Sequence, residues 1–164
     1  LGMLRRQGVN CGAWIVGDAE FGGGDKYVTA LNEQVIQEGL RDRVDFLRFR
    51  EDVPALMSAS DIVCHASWFE PFGMVIAEAM AAGRPVVASD VSGPREIVEE
   101  GETGYLVPPG DFTALAATLS RLISDPDERR RLGQNGAKRA REEFEQEHNL
   151  QRLHEQCLAA VQER

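Results

Sequence analysis

The sequence is poor in positive charge. Its 164 residues hold 18 Lys and Arg against 27 Asp and Glu, which gives a formal net charge of -9 at pH 7. Such an excess of negative charge repels phosphate backbones and anionic lipid headgroups. We therefore expect no nucleic-acid partner and no membrane contact through this domain, although a neighbouring domain of a longer protein could still supply basic charge.

Long apolar runs and disulfide patterns are also lacking. No apolar run approaches the roughly 20 residues of a membrane span, and no signal-peptide pattern is visible. The three cysteines, Cys11, Cys64 and Cys157, are odd in number and far apart, and two of them lie in apolar, strand-like runs. This pattern favours buried, reduced thiols over a disulfide framework, and it predicts a cytoplasmic location.

The composition is typical of a folded domain. Apolar residues make up 43% and charged residues 27% of the chain, which are ordinary globular proportions. The length fits a single domain over residues 1–164. The opening stretch LGMLRRQG resembles the end of a helix, so we expect the chain to be a truncated part of a larger protein.

Apolar, strand-like runs alternate with helical patterns along the chain. The predicted strands are GAWIVG, which we expect to be buried on both faces, RVDFLRF, DIVCHA and RPVVAS. The predicted helices cover 25–39, a short segment after Asp52, 71–82, 111–124, a segment opened by Asp125 and Pro126, and a C-terminal helix from 147. Between the second and third of the long helices lies a shorter unit of GPREIVEE, a GETG turn and YLVPPG. This alternation predicts an α/β fold, a doubly wound parallel sheet with helices on both faces. Ligands of such sheets bind beyond the carboxyl ends of the strands.

The segment SWFEPFGMVIAEAMAAG carries the sharpest functional signal. It joins a predicted strand end to a helix that we expect to begin at Pro71. The first N–H groups of a helix lack internal partners and the helix dipole adds positive potential there, so a diphosphate could bind without a basic side chain. Gly73 would let the phosphate approach closely, and Glu70 could accept hydrogen bonds from sugar hydroxyls.

Glu78 lies inside the apolar run MVIAEAMAA, which predicts a buried carboxylate. A buried carboxylate needs hydrogen-bond donors, and two ribose hydroxyls would supply them. The alternative is that Glu78 lies on the solvent side of an amphipathic helix and that Glu70 only caps the helix.

Other patterns point less clearly to a site. The loop DAEFGGG follows a strand, but its glycines lack the spacing of the dinucleotide-binding fingerprint, so a turn is the better interpretation. His65 has no metal-ligand spacing around it and is expected to pack beside the site, while His148 and His154 fall on different helix faces. Arg95 and Glu96 follow a strand end in the same region and remain candidates.

The two glutamates and the turns that follow them resemble a known family. Glu70 and Glu78, separated by seven residues within EPFGMVIAEAMAAGRPVVASDVSGPREIV, together with the later GETGYLVPPGD, closely resemble the group 1 glycosyltransferases, a large retaining family with the GT-B fold. The resemblance runs from about Gly12 to Phe144. It implies a Rossmann-like, C-terminal nucleotide-sugar-binding domain of a larger two-domain enzyme, whose N-terminal acceptor-binding domain is missing from this chain.

The resemblance also implies roles for particular residues. Glu70 would contact the donor sugar and is the candidate catalytic residue, and Glu78 would bind the ribose hydroxyls. The backbone amides expected to hold the diphosphate are those of Phe72, Gly73, Met74 and Val75. Backbone groups of Arg48 and Phe49 would lie near the nucleobase, although the family often has a glycine where this chain has Arg48.

The implied function is transfer of a hexosyl unit from a nucleotide donor to an acceptor hydroxyl with retained anomeric configuration. A UDP-sugar is the expected donor, with GDP and ADP carriers left open, and no metal or other cofactor is implied. The fragment alone is expected to be inactive, because it lacks the family's basic phosphate-binding loop and the acceptor domain. The alternatives are a non-catalytic nucleotide-binding module and a sugar-nucleotide epimerase of the same fold.

Overall fold

The computed structural model of the protein describes residues 1–17 and 24–144. The chain divides into two compact units, Leu1–Leu56 and Met57–Arg164. The single domain over 1–164 stays a prediction. Several expectations fall outside the described residues, namely most of the glycine-rich loop, His148, His154, Cys157 and the C-terminal helix from 147.

Unit 1 contains a two-stranded parallel sheet. Its elements are α1 (Gly2–Arg6), β1 (Ala13–Val16), α2 (Gly24–Gln37) and β2 (Val44–Arg48), and the division between the units falls inside α3 (Val53–Ala59). β1 pairs with β2 in register from Ala13 opposite Val44. The stop predicted for α2 at Gly39 is confirmed, because this glycine has a φ of +65° just beyond the helix.

The prediction that β1 is buried on both faces is wrong. Trp14 is 45% exposed, Ile15 38% and Val16 40%. Within unit 1 the strand has one hydrogen-bonded neighbour, and the described residues of the unit leave these side chains partly open. An apolar run thus identified the strand correctly, but it carries no information about what covers the strand.

Unit 2 is built on a three-stranded parallel sheet. Its elements are β3 (Val63–His65), α4 (Met74–Ala81), β4 (Val86–Ser89), α5 (Ser92–Ile97), β5 (Gly104–Val107), α6 (Phe112–Ser124), α7 (Pro126–Arg139) and a π-helical turn (Ala140–Phe144). The strand order is β3-β4-β5. All four residues of β4, the central strand, are buried, as expected for a strand covered on both faces.

One hydrophobic cluster of unit 2 lies between this sheet and the helices α6 and α7. Val87 of β4 and Val107 of β5 form one buried cluster with Leu122 of α6 and Leu132 of α7. These side chains are less than one tenth exposed, and each full burial of such a residue contributes about 1.5–3 kcal/mol to folding. The core therefore fixes the sheet whose strand ends carry the candidate site.

The starts of α6 and α7 are confirmed at the predicted capping residues. The Asp111 carboxylate accepts hydrogen bonds from the N–H groups of Thr113 and Ala114, and the Asp125 carboxylate accepts one from Glu128. Each cap satisfies N–H groups that the helix itself cannot, and it is worth about 1 kcal/mol.

The α/β class predicted from the sequence is confirmed. Every pairing between the described strands is parallel, and helices separate successive strands along the chain. Cys64, on the outer strand β3, is exposed and Cys11 is half-buried, so full burial of these thiols is not confirmed, although desolvation by the surrounding protein raises the pKa of Cys64 to about 11. None of the helices in residues 1–17 and 24–144 has the length and apolar character that a membrane span requires.

Candidate functional site

The site predicted from the sequence lies in unit 2, in the loop between β3 and α4. The loop is tied to the neighbouring strand and helix by two hydrogen bonds that backbone N–H groups donate. The Ser67 N–H donates to the Ser89 hydroxyl at 3.0 Å, and the Gly93 N–H donates to the Glu70 carbonyl at 3.1 Å. The carboxyl ends of β3 and β4 and the start of α5 therefore hold this loop in place.

The helix α4 begins at Met74, three residues later than predicted. The delay has a local cause, because Gly73 has a φ of +102°, a left-handed conformation that interrupts the helical path from Pro71. A side chain at this position would be strained and would also contact Ile76. Gly73 thus acts as the N-cap residue of α4, and the helix begins directly after it.

Two N–H groups at the start of α4 are available for a ligand. Those of Met74 and Val75 have no intrahelical partner, and among the described residues no other group accepts from them. The N–H of Phe72 is different, because it donates to the Glu70 carboxylate at 3.2 Å. The start of the helix thus offers partial positive charge and unused donors to an anion.

Glu70 has a defined orientation. Its Oε1 accepts the hydrogen bond from the Phe72 N–H, and its Oε2 lies 3.5 Å from His65 Nε2. The Glu70 side chain is 25% exposed, so the carboxylate can still reach solvent or a ligand. The expectation that His65 packs beside the site agrees with this contact.

Glu78 is exposed, so the prediction of a buried carboxylate is wrong. In α4 the buried residues are Ile76, Ala77, Ala79 and Met80. The residues that directly flank Glu78 on both sides therefore face the core while Glu78 does not. The alternative considered from the sequence, a solvent-facing glutamate, describes its exposure correctly.

The exposed face of α4 is nevertheless unusual for a solvent-facing surface. Glu78 lies one helical turn after Met74 and shares its face with Met74 and Val75, which are 60% and 41% exposed. Trp68 and Phe69, just before the helix, are 76% and 75% exposed. Large apolar side chains exposed next to a carboxylate are typical of a binding surface.

Two features near the loop were not predicted from the sequence. Phe144, in the π-helical turn, packs edge-on against Phe72 with 6.4 Å between ring centroids. Gly93 approaches the backbone of Phe72 so closely that a Cβ there would overlap the Phe72 carbonyl. Both contacts join residues distant in sequence, and only the Gly-Pro pair at 93–94 hinted at one of them.

The other candidate residues have other partners or belong to unit 1. The Arg95 guanidinium donates to both Asp90 carboxylate oxygens, at 2.5 and 3.0 Å, and it lowers the pKa of Asp90. Glu96 is exposed. In unit 1, Phe49 is 75% exposed, and Arg48 has a φ of +51°, which is uncommon for a residue other than glycine. Within the described part of the chain, no group of three or more His, Cys, Asp or Glu side chains could hold a metal ion.

Known proteins resemble this chain in both sequence and structure. The family profile described as glycosyl transferases group 1 matches residues 2–139. The chain is 36% identical over 136 residues to alpha-D-kanosaminyltransferase of Streptomyces kanamyceticus, an alignment that covers 82% of this chain and 34% of that protein.

Solved structures of known proteins also resemble this chain. The crystal structure of Anabaena HepE in complex with UDP matches with a TM-score of 0.86 and 40% identity, over 91% of this chain and 41% of that one. The same protein in complex with UDP-glucose matches with a TM-score of 0.83 and 40% identity, over 90% of this chain and 41% of that one. The chain thus spans less than half the length of these relatives. Because the family profile covers most of the sequence and the fold agrees, the chain belongs to the group 1 glycosyltransferases, which have the GT-B fold.

Proposed function

We propose that the chain is the nucleotide-diphospho-sugar-binding part of a retaining glycosyltransferase that transfers a hexosyl unit to an acceptor hydroxyl. One observation carries this proposal. In the chain, the unused N–H groups at the start of α4 come between Glu70, which precedes them, and Glu78, which follows one turn later on the exposed face of the helix.

The diphosphate binds at the start of α4. The N–H groups of Gly73, Met74 and Val75 and the helix dipole supply donors and positive potential without any basic side chain. The glycine backbone at position 73 lets an oxygen approach closely. The Phe72 N–H joins this set only when Glu70 releases it, since it donates to Glu70 in this structure.

Glu70 contacts the donor sugar and is the proposed catalytic residue. A carboxylate accepts hydrogen bonds only, so it matches the hydroxyl donors of a hexose. Because one oxygen of Glu70 accepts the Phe72 N–H, the other lies 3.5 Å from His65 Nε2, and the side chain remains a quarter exposed, Glu70 can bind a sugar at little cost of ordering.

Glu78 binds the two ribose hydroxyls. Because Glu78 is exposed, burial does not require its carboxylate to have a hydrogen-bond donor. What supports the role is its place on the face of Met74 and Val75, one turn from the diphosphate site. A carboxylate can accept from both hydroxyls of a ribose at once.

The proposed carrier is uridine diphosphate. HepE, which is 40% identical to this chain, was solved with UDP and with UDP-glucose. Guanosine and adenosine diphosphates remain alternatives, and a titration with all three diphosphates separates them. For the base, we propose contacts with backbone groups of Arg48 and Phe49, on the strength of the family resemblance alone.

Transfer needs more than this chain contains. With a net charge of -9, it has little positive charge to stabilise a leaving diphosphate. Retained configuration also requires an acceptor hydroxyl aligned with the sugar. We therefore expect the isolated chain to bind a donor weakly and to catalyse no transfer.

An NMR titration tests the proposed binding site. UDP, GDP and ADP are added separately to the ¹⁵N-labelled chain, with uridine as the control that lacks phosphates. We expect UDP to shift the amide signals of residues 73–78 more than GDP and ADP do, and uridine to shift them little. If no diphosphate perturbs these residues, the proposed function is wrong.

A further inference from the structure

His65 lies beside the Glu70 carboxylate on the strand side of the site. It ends β3, and its Nε2 lies 3.5 Å from Glu70 Oε2. The other carboxylate oxygen, Oε1, accepts the Phe72 N–H at 3.2 Å. Each oxygen of Glu70 thus has its own neighbour, one from the strand end and one from the loop.

The second ring nitrogen of His65 indicates where the imidazole proton lies. His65 Nδ1 is buried and has no hydrogen-bond partner among the described residues. A neutral imidazole carries one N–H, and a buried N–H without an acceptor is unfavourable. The proton is therefore better placed on Nε2, which faces the Glu70 carboxylate.

We propose that His65 is a positioning residue that holds the Glu70 carboxylate in the orientation required to bind the donor sugar. This inference rests on the proposed function, in which Glu70 contacts that sugar. His65 itself touches no ligand in this proposal. It acts by restricting a side chain that would otherwise have several rotamers at a partly exposed position.

The proposal predicts a selective effect on ligands. A nucleoside diphosphate without a sugar gains nothing from the orientation of Glu70, whereas a nucleotide-sugar does. Loss of the His65 contact should therefore weaken binding of UDP-glucose and leave binding of UDP nearly unchanged. If His65 only supported the fold, its loss would weaken the binding of both ligands equally.

Two variants of similar length separate the contact from the packing. His65→Gln keeps an N–H donor near the position of Nε2, and His65→Met removes the donor while filling similar space. By calorimetry or NMR titration, we expect His65→Met to lower the affinity for UDP-glucose about tenfold and the affinity for UDP less than about twofold. His65→Gln should stay within about threefold of the unmodified chain for both ligands. The inference would be overturned if both variants lost the same affinity for UDP-glucose, or if His65→Met lost affinity equally for UDP-glucose and UDP.

A second readout needs no ligand. Because the Phe72 N–H donates to Glu70, its chemical shift and its hydrogen exchange report whether the carboxylate is held. We expect His65→Met to change both properties and His65→Gln to preserve them. If the unmodified chain bound neither UDP nor UDP-glucose, the proposed function would fail, while this readout would still decide whether His65 positions Glu70. An unchanged Phe72 amide in His65→Met would overturn the positioning role.

Discussion

Gly93 at the start of α5 lies against the backbone of Phe72, in the loop before α4. A Cβ built on Gly93 would overlap the carbonyl oxygen, carbonyl carbon and Cα of Phe72. The Gly93 N–H also donates to the Glu70 carbonyl. The first turn of α5 is therefore the support against which the proposed diphosphate-binding loop rests.

Replacing Gly93 with alanine should displace this loop. The clash is with backbone atoms, which cannot rotate away, so we expect Gly93→Ala to destabilise unit 2 by about 1–3 kcal/mol. The affinity for UDP should fall as well, because the amides at the start of α4 move. Urea denaturation and a UDP titration measure the two effects. Ser92→Ala, an exposed neighbour in the same turn, is the control and should change neither.

The sequence predicted the elements whose signals are local. The caps at Asp111 and Asp125 were found because a side-chain oxygen and the following turn are neighbours in the chain. The strand at Val86–Ser89 was found because its apolar run suits a central parallel strand. Even the delayed start of α4 has a local cause in Gly73, although the left-handed φ was not foreseen.

The sequence did not predict features that depend on packing between distant segments. Glu78 was expected to be buried because its sequence neighbours are apolar, yet only the residues that directly flank it face the core, and Glu78 does not. The approach of Gly93 to Phe72 joins positions 21 residues apart, and no local pattern encodes it. Which face of a helix is covered depends on the tertiary structure, and this limited the site prediction more than the fold prediction.

A buried carboxylate in unit 2 accepts hydrogen bonds from a tyrosine and an arginine. Glu128 is 8% exposed at its side chain and accepts a hydrogen bond from the Tyr105 hydroxyl at 2.6 Å and two from Arg121. We expect Tyr105→Phe to destabilise unit 2 by about 1–2 kcal/mol, since a buried acceptor loses one donor. Tyr27→Phe is the matched control, because Tyr27 is 55% exposed, and it should have no measurable effect.

The same tyrosine should make the stability of unit 2 depend on pH. Burial and the hydrogen bond to Glu128 raise the pKa of Tyr105 in the folded protein. Its contribution to stability is therefore complete below the unfolded pKa of about 10, and it is lost as the pH rises through the higher folded pKa. The difference in unfolding free energy between the unmodified chain and Tyr105→Phe should shrink as the pH rises above about 10. A constant difference across that range would contradict the assigned role.

Arg48 should be more strained than a glycine in the same place. Its φ of +51° is left-handed, which costs a residue with a side chain roughly 1–2 kcal/mol. We expect Arg48→Gly to stabilise unit 1 by about 0.5–1 kcal/mol after the greater chain entropy of glycine is subtracted. Arg48→Ala, which keeps the strain, should not stabilise it. Fluorescence of Trp14 during urea denaturation, in a Trp68→Phe background, reports on unit 1 alone, because these are the only two tryptophans.

Glu78 offers the most direct test of the proposed ribose contact. If its carboxylate accepts from both ribose hydroxyls, the neutral amide in Glu78→Gln weakens those bonds and lowers the affinity for UDP about tenfold. A 2′-deoxy nucleotide has already lost one of the two contacts, so its affinity should fall less. Paired titrations with UDP and 2′-deoxy-UDP measure this difference.

Glu70→Gln is the matched control for that experiment, because it makes the same chemical change at the other glutamate of the pair. It should reduce the affinity for UDP-glucose while leaving the ratio of UDP to 2′-deoxy-UDP affinity unchanged. Since Glu78 is exposed, Glu78→Gln should not alter folding, and any loss of binding can be assigned to the contact itself. Equal losses for the ribose and deoxyribose ligands would mean that Glu78 does not contact the 2′-hydroxyl, and the bidentate role would have to be abandoned.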